Sequence, residues 1–303
     1  MTTLKSGARL AGVALSHSPQ MLADTEHTQG LQFRAAISAA SRATQAYDPT
    51  LVVYFGPDHM RALAGIAPAF TTVERASGYG DWNTASSRYD IPSQLIRDYV
   101  QHATARGVEV AFAHELKLDH GFSQSTTDLF GRLDAVPMLP VIINCIDRPL
   151  ATMSRVVELG RLTREFLDTA TSADDRVLVI GSGGLSHSPP SLIPGADKLP
   201  EAERQALITN NMAKAIDAIR PEWDKHMLSL LADGDLDAIS RLTHDDIQAA
   251  GTGAHEVRTW VAVAATVGQP LATVGYETVP EWITGMGIAA DQELAVEASV
   301  VSQ

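Results

Sequence analysis

Four histidines stand where an apolar run ends. His17 follows residues 10–15, His59 follows 51–55, His120 lies beyond 108–112 and a loop, and His187 follows 177–180. Imidazole changes charge near neutral pH and ligates metals, so it serves proton transfer and metal binding alike. Taken singly, a histidine at a strand end is ordinarily a satisfied loop residue. In a parallel sheet, however, all C-terminal strand ends share one rim, and that rim is where ligands bind. Four imidazoles gathered there point to metal binding, acid–base chemistry, or both. Of the remaining six, His27, His102, His114, His226 and His244 sit in polar or helical surroundings and read as surface or packing residues; His255 adjoins Glu256.

Two of the four histidines lie in identical pentapeptides, Leu-Ser-His-Ser-Pro, at 15–19 and 185–189. The flanks share a strand-then-loop rhythm and little else, which argues against a duplicated fold. In "IGSGGLSH" the glycines complete neither a dinucleotide-binding nor a nucleophile-elbow pattern. They read as letting the backbone turn tightly beneath His187. No phosphate-binding P-loop is present.

A metal site needs a complement to imidazole. The chain has one cysteine, Cys145, so thiolate sites and internal disulfides are excluded by count, and Cys145 reads as a core residue. A carboxylate is then required, and Glu256 in "GTGAHEVRTWVAVAA" is the candidate. Alone, a glutamate at a helix start is explained by the helix dipole. Trp260, one turn on, covers its face instead. Two histidines and one carboxylate form a facial triad with three open positions, which suits non-haem Fe(II). Zinc with the same ligand types is the competitor. "HELKLDH" and "HEVRTW" both lack the second histidine of the short zinc-protease motif.

The elements that must position these groups follow from periodicity. Short β-branched runs at 10–15, 51–55, 108–112, 138–144 and 177–180 read as buried strands. Helical stretches at 29–46, 92–106, 125–133 and 153–167 lie between them, and Pro92 suits a first turn. The expectation is an α/β fold, one domain over residues 1–303, with a largely parallel central sheet flanked by helices and the site at the strand C-terminal ends. After residue 190 the pattern turns mostly helical. The run 259–276 is broken by Gly268-Gln269-Pro270 and reads as a helix end and a turn, not a membrane span.

Composition narrows the partners. Of 303 residues, 36 are acidic and 23 basic, giving a net charge of -13, so a nucleic-acid partner is disfavoured. Lys5 and Arg9 precede an apolar stretch too short for a signal peptide. One cysteine fits a reducing cytoplasm.

Seven segments in order, "ALSHSP", "FGPDH", "LDHGFSQ", "LPVIIN", "GSGGLSHSPP", "HEVRTWVA" and "PEWITGMG", resemble the class III extradiol catechol dioxygenases, the group that includes the β-subunit of protocatechuate 4,5-dioxygenase. Within that family the nearest likeness is to the branch cleaving 2,3-dihydroxyphenylpropionate. The resemblance implies that His17, His59 and Glu256 ligate Fe(II). It implies that His187 takes a proton from the catechol and that His120 donates one during ring cleavage. The repeated pentapeptide is then one loop geometry used once for metal and once for protons. The implied substrates are dioxygen and a 3-substituted catechol, best taken as 3-(2,3-dihydroxyphenyl)propionate, in a homo-oligomer without membrane or nucleic-acid partners. Asp58 and Asp119, each next to a candidate histidine, are candidates to orient an imidazole or the substrate. Arg61, Arg75 and Arg88 are candidate counter-charges for the ring substituent. The segment 191–208 is shorter than its family counterpart and is expected to border the substrate entrance or a subunit contact. Two rival readings share these residues: a zinc hydrolase, and a non-catalytic binding protein of the same fold.

Overall fold

Residues 51–55 are Leu-Val-Val-Tyr-Phe, apolar at every position and buried at every position. A strand without polar alternation must be covered on both faces, which in an α/β protein means a central place in a parallel sheet. The computed structural model, which describes residues 7–193 and 195–295, places it there. Residues 1–6, Pro194 and 296–303 lie outside the described residues, so the one-domain expectation extends past them.

The strands are β1 (Arg9–Leu15), β2 (Leu51–Gly56), β3 (Phe70–Val73), β4 (Ala76–Gly78), β5 (Ala111–Ala113), β6 (Leu116–Leu118), β7 (Met138–Ile143), β8 (Arg176–Ser182), β9 (Ala272–Val279) and β10 (Thr284–Ala290). Eight form one sheet in the order β5-β3-β7-β2-β8-β1-β10-β9; β4 and β6 pair separately. The centre, β7-β2-β8-β1, is parallel throughout. Antiparallel pairings lie outside it, at β3–β7, β1–β10 and β10–β9. The sheet is therefore mostly parallel, with apolar cores on both faces.

Register decides where the histidines arrive. Leu15 pairs with Ser182, and Phe55 pairs with Gly181, so β1, β8 and β2 end level. His17 and His59 then emerge on opposite sides of the end of β8. The helix Val257–Val267, buried along its whole length, packs beneath β8 and β1 and begins at the same rim. Glycine makes that approach possible. A Cβ at Gly181 would lie 2.8 Å from the Thr259 carbonyl oxygen, and one at Gly12 would lie 2.8 Å from Val267.

Three expectations change. The run 108–112 yields only the short β5; Val108 and Val110 are buried just before it. The helix expected at 125–133 is His120–Phe130, because Asp119 caps it by accepting the Gly121 N–H at 2.9 Å. The region after 190 is not helical to its end: β9 and β10 form an antiparallel pair on the β1 side of the sheet. β10 reads Thr-Gly-Met-Gly-Ile-Ala-Ala, a composition with weak strand propensity, and is a strand because it is buried at every position. No described helix is long and apolar enough to cross a membrane.

Filling the gap under β8 should loosen the rim. Gly181→Val is expected to lower stability by about 1–3 kcal/mol through overpacking against Thr259 and Val263, read as a lower thermal midpoint. An unchanged midpoint would mean that the helix tolerates displacement.

Candidate functional site

Each imidazole is held from behind by one hydrogen bond. The His17 Nδ1 lies 2.9 Å from Ser182 Oγ, at the end of β8. The His59 Nδ1 lies 3.2 Å from Asp119 Oδ2, which also accepts the His59 backbone N–H at 2.6 Å. The His120 Nδ1 lies 2.6 Å from Asp81 Oδ2. The His187 Nδ1 donates to the Leu185 carbonyl at 2.8 Å. A partner on Nδ1 fixes ring orientation and leaves Nε2 for the site.

The rings converge. His17 meets His59 edge-on with centroids 5.3 Å apart, and His120 edge-on at 5.4 Å; His59 and His120 stack at 4.2 Å. Ligand nitrogens of these three lie within 4.8 Å of one another, close enough to hold one metal ion. Glu256 joins them from the far side. Its Oε1 is 3.1 Å from His59 Nε2 and 3.7 Å from His187 Nε2, while Oε2 accepts the Gly184 N–H at 2.6 Å. Glu256 is 1% exposed, on a short 3-10 turn, Gly253–Glu256, just before the long helix. Thr259 Oγ1 and Trp260 Nε1 tie the helix start to the carbonyls of Ser182 and Gly183.

The glycines near His187 make room for its ring. Added Cβ atoms at Gly184 and Gly253 would fall 2.4 Å from its Cε1 and 2.0 Å from its Nε2. Gly184 and Gly253 therefore serve space; the backbone conformation that favours glycine, φ +112°, belongs to Gly251.

Electrostatics mark the place for a cation. Burial alone would raise Glu256, yet His187 and His59 hold it well below the ordinary carboxylate range. Burial would lower His59, but Asp119 and Glu256 outweigh it and hold it well above the usual imidazole value. His187 is raised too, with burial overcome by Glu256. His17 is pushed down to about 3, mainly by burial, and so offers a neutral nitrogen. Asp119 is held low by His59 and His120 against the effect of burial. Buried carboxylates that drag neighbouring imidazoles into the charged form need positive charge. Ligand atoms on adjacent corners of an octahedron with bonds near 2.1 Å lie about 3 Å apart, and His59 Nε2 and Glu256 Oε1 have that spacing. The donor set of imidazole nitrogen and carboxylate oxygen fits a divalent transition metal.

Asp119 serves His59 rather than the adjacent His120. Asp58 spends its carboxylate on the backbone N–H groups of Arg61, Ala62 and Leu63, although it also borders the cavity. The sequence reading missed Asp81 and Ser182. Asp81 sits in a 3-10 turn after Gly80 with no periodic signal around it, and only the tertiary fold brings it to His120. All four histidines and Glu256 line one cavity of about 580 Å³. Arg61 borders it; Arg75 pairs with Glu74 at 3.0 Å, and Arg75 and Arg88 are absent from the lining. The segment 191–208 supplies part of the lining, including Leu192 and Arg204.

Comparison with known proteins agrees with the geometry. Residues 11–287 match the family model described as the catalytic LigB subunit of aromatic ring-opening dioxygenase. A Cupriavidus necator protein named 2,3-dihydroxyphenylpropionate/2,3-dihydroxicinnamic acid 1,2-dioxygenase is 34% identical over 305 residues, covering 92% of this chain and 94% of its own. Proteins of the same name from Cupriavidus pinatubonensis and a Rhodococcus species are 35% and 33% identical; they cover 92% and 91% of this chain and 94% and 96% of their own lengths.

Asp119→Asn keeps a good helix cap but removes the charge behind His59. It is expected to weaken Mn(II) binding about 10–100-fold, measured by calorimetric titration; unchanged affinity would leave Asp119 as a cap alone. The pH dependence has a definite sign. In the metal-free protein, His59 and His187 are raised above 6.5, so their contribution to stability is full below that value and fades as pH rises through their folded values. Glu256, lowered from 4.5, contributes above that value and loses its contribution only as pH falls through its folded one. A cation must displace the His59 proton. Mn(II) uptake should therefore release protons and tighten as pH rises through neutrality, read as a heat that depends on buffer ionisation.

Proposed function

The chain belongs to the LigB family of aromatic ring-opening dioxygenases and is an extradiol ring-cleaving enzyme; on that premise we propose that its metal is Fe(II), held by His17, His59 and Glu256, with His120 and His187 as the proton-handling pair. The observation that carries the proposal is the buried Glu256 carboxylate against His59 Nε2 at 3.1 Å, with His17 edge-on beside it. Three ligands on one face leave three positions, enough for both catechol oxygens and dioxygen. Taking His120 as a further ligand would leave two, and the enzyme would lose its acid.

Bound Fe(II) would supply the one-electron chemistry that lets triplet dioxygen react with a singlet catechol. The chain's own residues do the rest. The Leu185 carbonyl holds the hydrogen on His187 Nδ1, so proton exchange falls to Nε2, and in its neutral form the ring accepts a proton there from a catechol hydroxyl. His120 is held through Nδ1 by Asp81, and its Nε2 faces the substrate to deliver a proton as the ring opens. His17, His120 and Glu256 are each 6% exposed or less, so little water reaches them.

The preferred substrate in this reading is a 3-substituted catechol, with 3-(2,3-dihydroxyphenyl)propionate the first to test. It is supported by the shared name of relatives that match over nine-tenths of the chain. The same reading takes the protein as one catalytic domain over 1–303, cytoplasmic and homo-oligomeric, with no nucleic-acid or membrane partner. The buried free thiol of Cys145 and the net charge of -13 support it.

Protein loaded anaerobically with Fe(II), then given catechol and air, should consume oxygen and form a yellow semialdehyde product. His17→Ala and Glu256→Ala should lose iron and activity together. His120→Ala and His187→Ala should keep iron and lose about 10²–10⁴-fold in turnover. Loss of iron from His120→Ala would move it into the ligand set, and full activity in His187→Ala would remove it from the mechanism.

A further inference from the structure

A catechol ring does not fill a cavity of about 580 Å³. The five residues discussed above and the helix Glu201–Asp217 both contribute to its lining. It presents Glu201, Arg204, Gln205, Ile208 and Met212 to the cavity. Their spacing puts them on one face of a helix. Ala215 is the one fully buried residue of that helix, so its inner face is committed to the cavity rather than to either core.

Two guanidinium groups line the cavity, those of Arg61 and Arg204. Arg61 is exposed and lies over the Tyr79 ring, 5.6 Å from its centre. Arg204 is half-buried and meets one carboxylate among the described residues, that of Glu201 one turn away, at 3.0 Å. The Glu201 side chain is 75% exposed. Such a solvated pair along a helix surface is weak, so exchanging it for a ligand carboxylate costs little. A guanidinium grips a carboxylate through two parallel N–H donors, and removal from water strengthens that grip.

We propose that the helix Glu201–Asp217 is the wall that reads the ring substituent: Arg204 receives a carboxylate at its end, and Ile208 and Met212 pack against its apolar stem. The proposal deepens the functional reading above and rests on it. It makes a carboxylated side chain, rather than a bulky neutral one, the feature this site selects.

The test uses the Fe(II)-loaded protein and two catechols, 3-(2,3-dihydroxyphenyl)propionate and 3-methylcatechol, which share the ring but not the carboxylate. In Arg204→Met, KM for the propionate should rise about 10–100-fold, with kcat little changed and kcat/KM for 3-methylcatechol within about twofold of wild type. Arg204→Lys should recover part of the loss, and Arg75→Met, at a residue outside the cavity lining, should leave both substrates as they were. The proposal is overturned if Arg204→Met affects both catechols alike or neither, or if Arg61→Met shows the selective loss instead. Wild type that cleaves 3-methylcatechol but gains nothing from the carboxylate would also overturn it while leaving the dioxygenase reading intact. Wild type that cleaves no catechol would defeat both.

Discussion

A glutamate with 1% of its surface exposed is the constraint on which the site is built. An uncompensated buried carboxylate costs several kcal/mol, so its surroundings must answer it. Glu256 has one backbone N–H, from Gly184, and two imidazole nitrogens within 4 Å. None of those neighbours is close in sequence. They meet because the start of the Val257–Val267 helix is pressed against the end of β8, where a Cβ on Gly183 would fall 2.7 Å from the Glu256 Cβ. The close packing that brings helix to strand therefore also concentrates negative charge at the strand ends. Loss of either would release the other.

The two identical pentapeptides show how much tertiary context adds to a motif. Both are pinned to β10. Ser16 exchanges backbone and hydroxyl hydrogen bonds with Gly287, at 2.9 and 3.0 Å. Ser186 accepts the Gly285 N–H through its carbonyl at 3.1 Å, and His187 forms an isolated bridge with Thr284. Alternate positions along one strand thus hold both loops. The loops then diverge. Pro19 opens a short helix, whereas the second copy runs into Pro189-Pro190, and both segments border the cavity. Ser186 also bonds Asp224, a fully buried carboxylate that accepts from its N–H, its hydroxyl and Tyr276. Ser16 has no such partner among the described residues.

What could be read in the chain follows from the range of the interactions. β1, β2, β7 and β8 were legible because buried parallel strands are continuous apolar runs, and the histidines were legible because they stand just past those runs. Glu256 was legible through the apolar spacing after it and Trp260 on its face. β10 was not: glycine and alanine carry little strand signal, and its place comes from pairing with β1, which is far away in sequence. Asp81 was hidden for the same reason, since its one distinguishing contact is to a histidine 39 positions away. His120 was placed correctly in the sequence but on the wrong element. It stands at the first turn of a helix, because Asp119 caps that helix with one carboxylate oxygen and holds His59 with the other.

The partner behind each ring orients groups that composition makes identical. Behind His187 stands a carbonyl, which can only accept, so Nδ1 carries a hydrogen and Nε2 is the atom left to gain or lose a proton. Behind His59 and His120 stand carboxylates, which also accept only, so those rings too turn Nε2 to the cavity. Behind His17 stands a hydroxyl, already in contact with Ser125 Oγ at 3.0 Å, which can donate or accept. His17 is also the ring that burial holds neutral, its pKa pushed down to about 3. Four equivalent side chains thus reach one rim, each ring oriented by an oxygen atom on its opposite side.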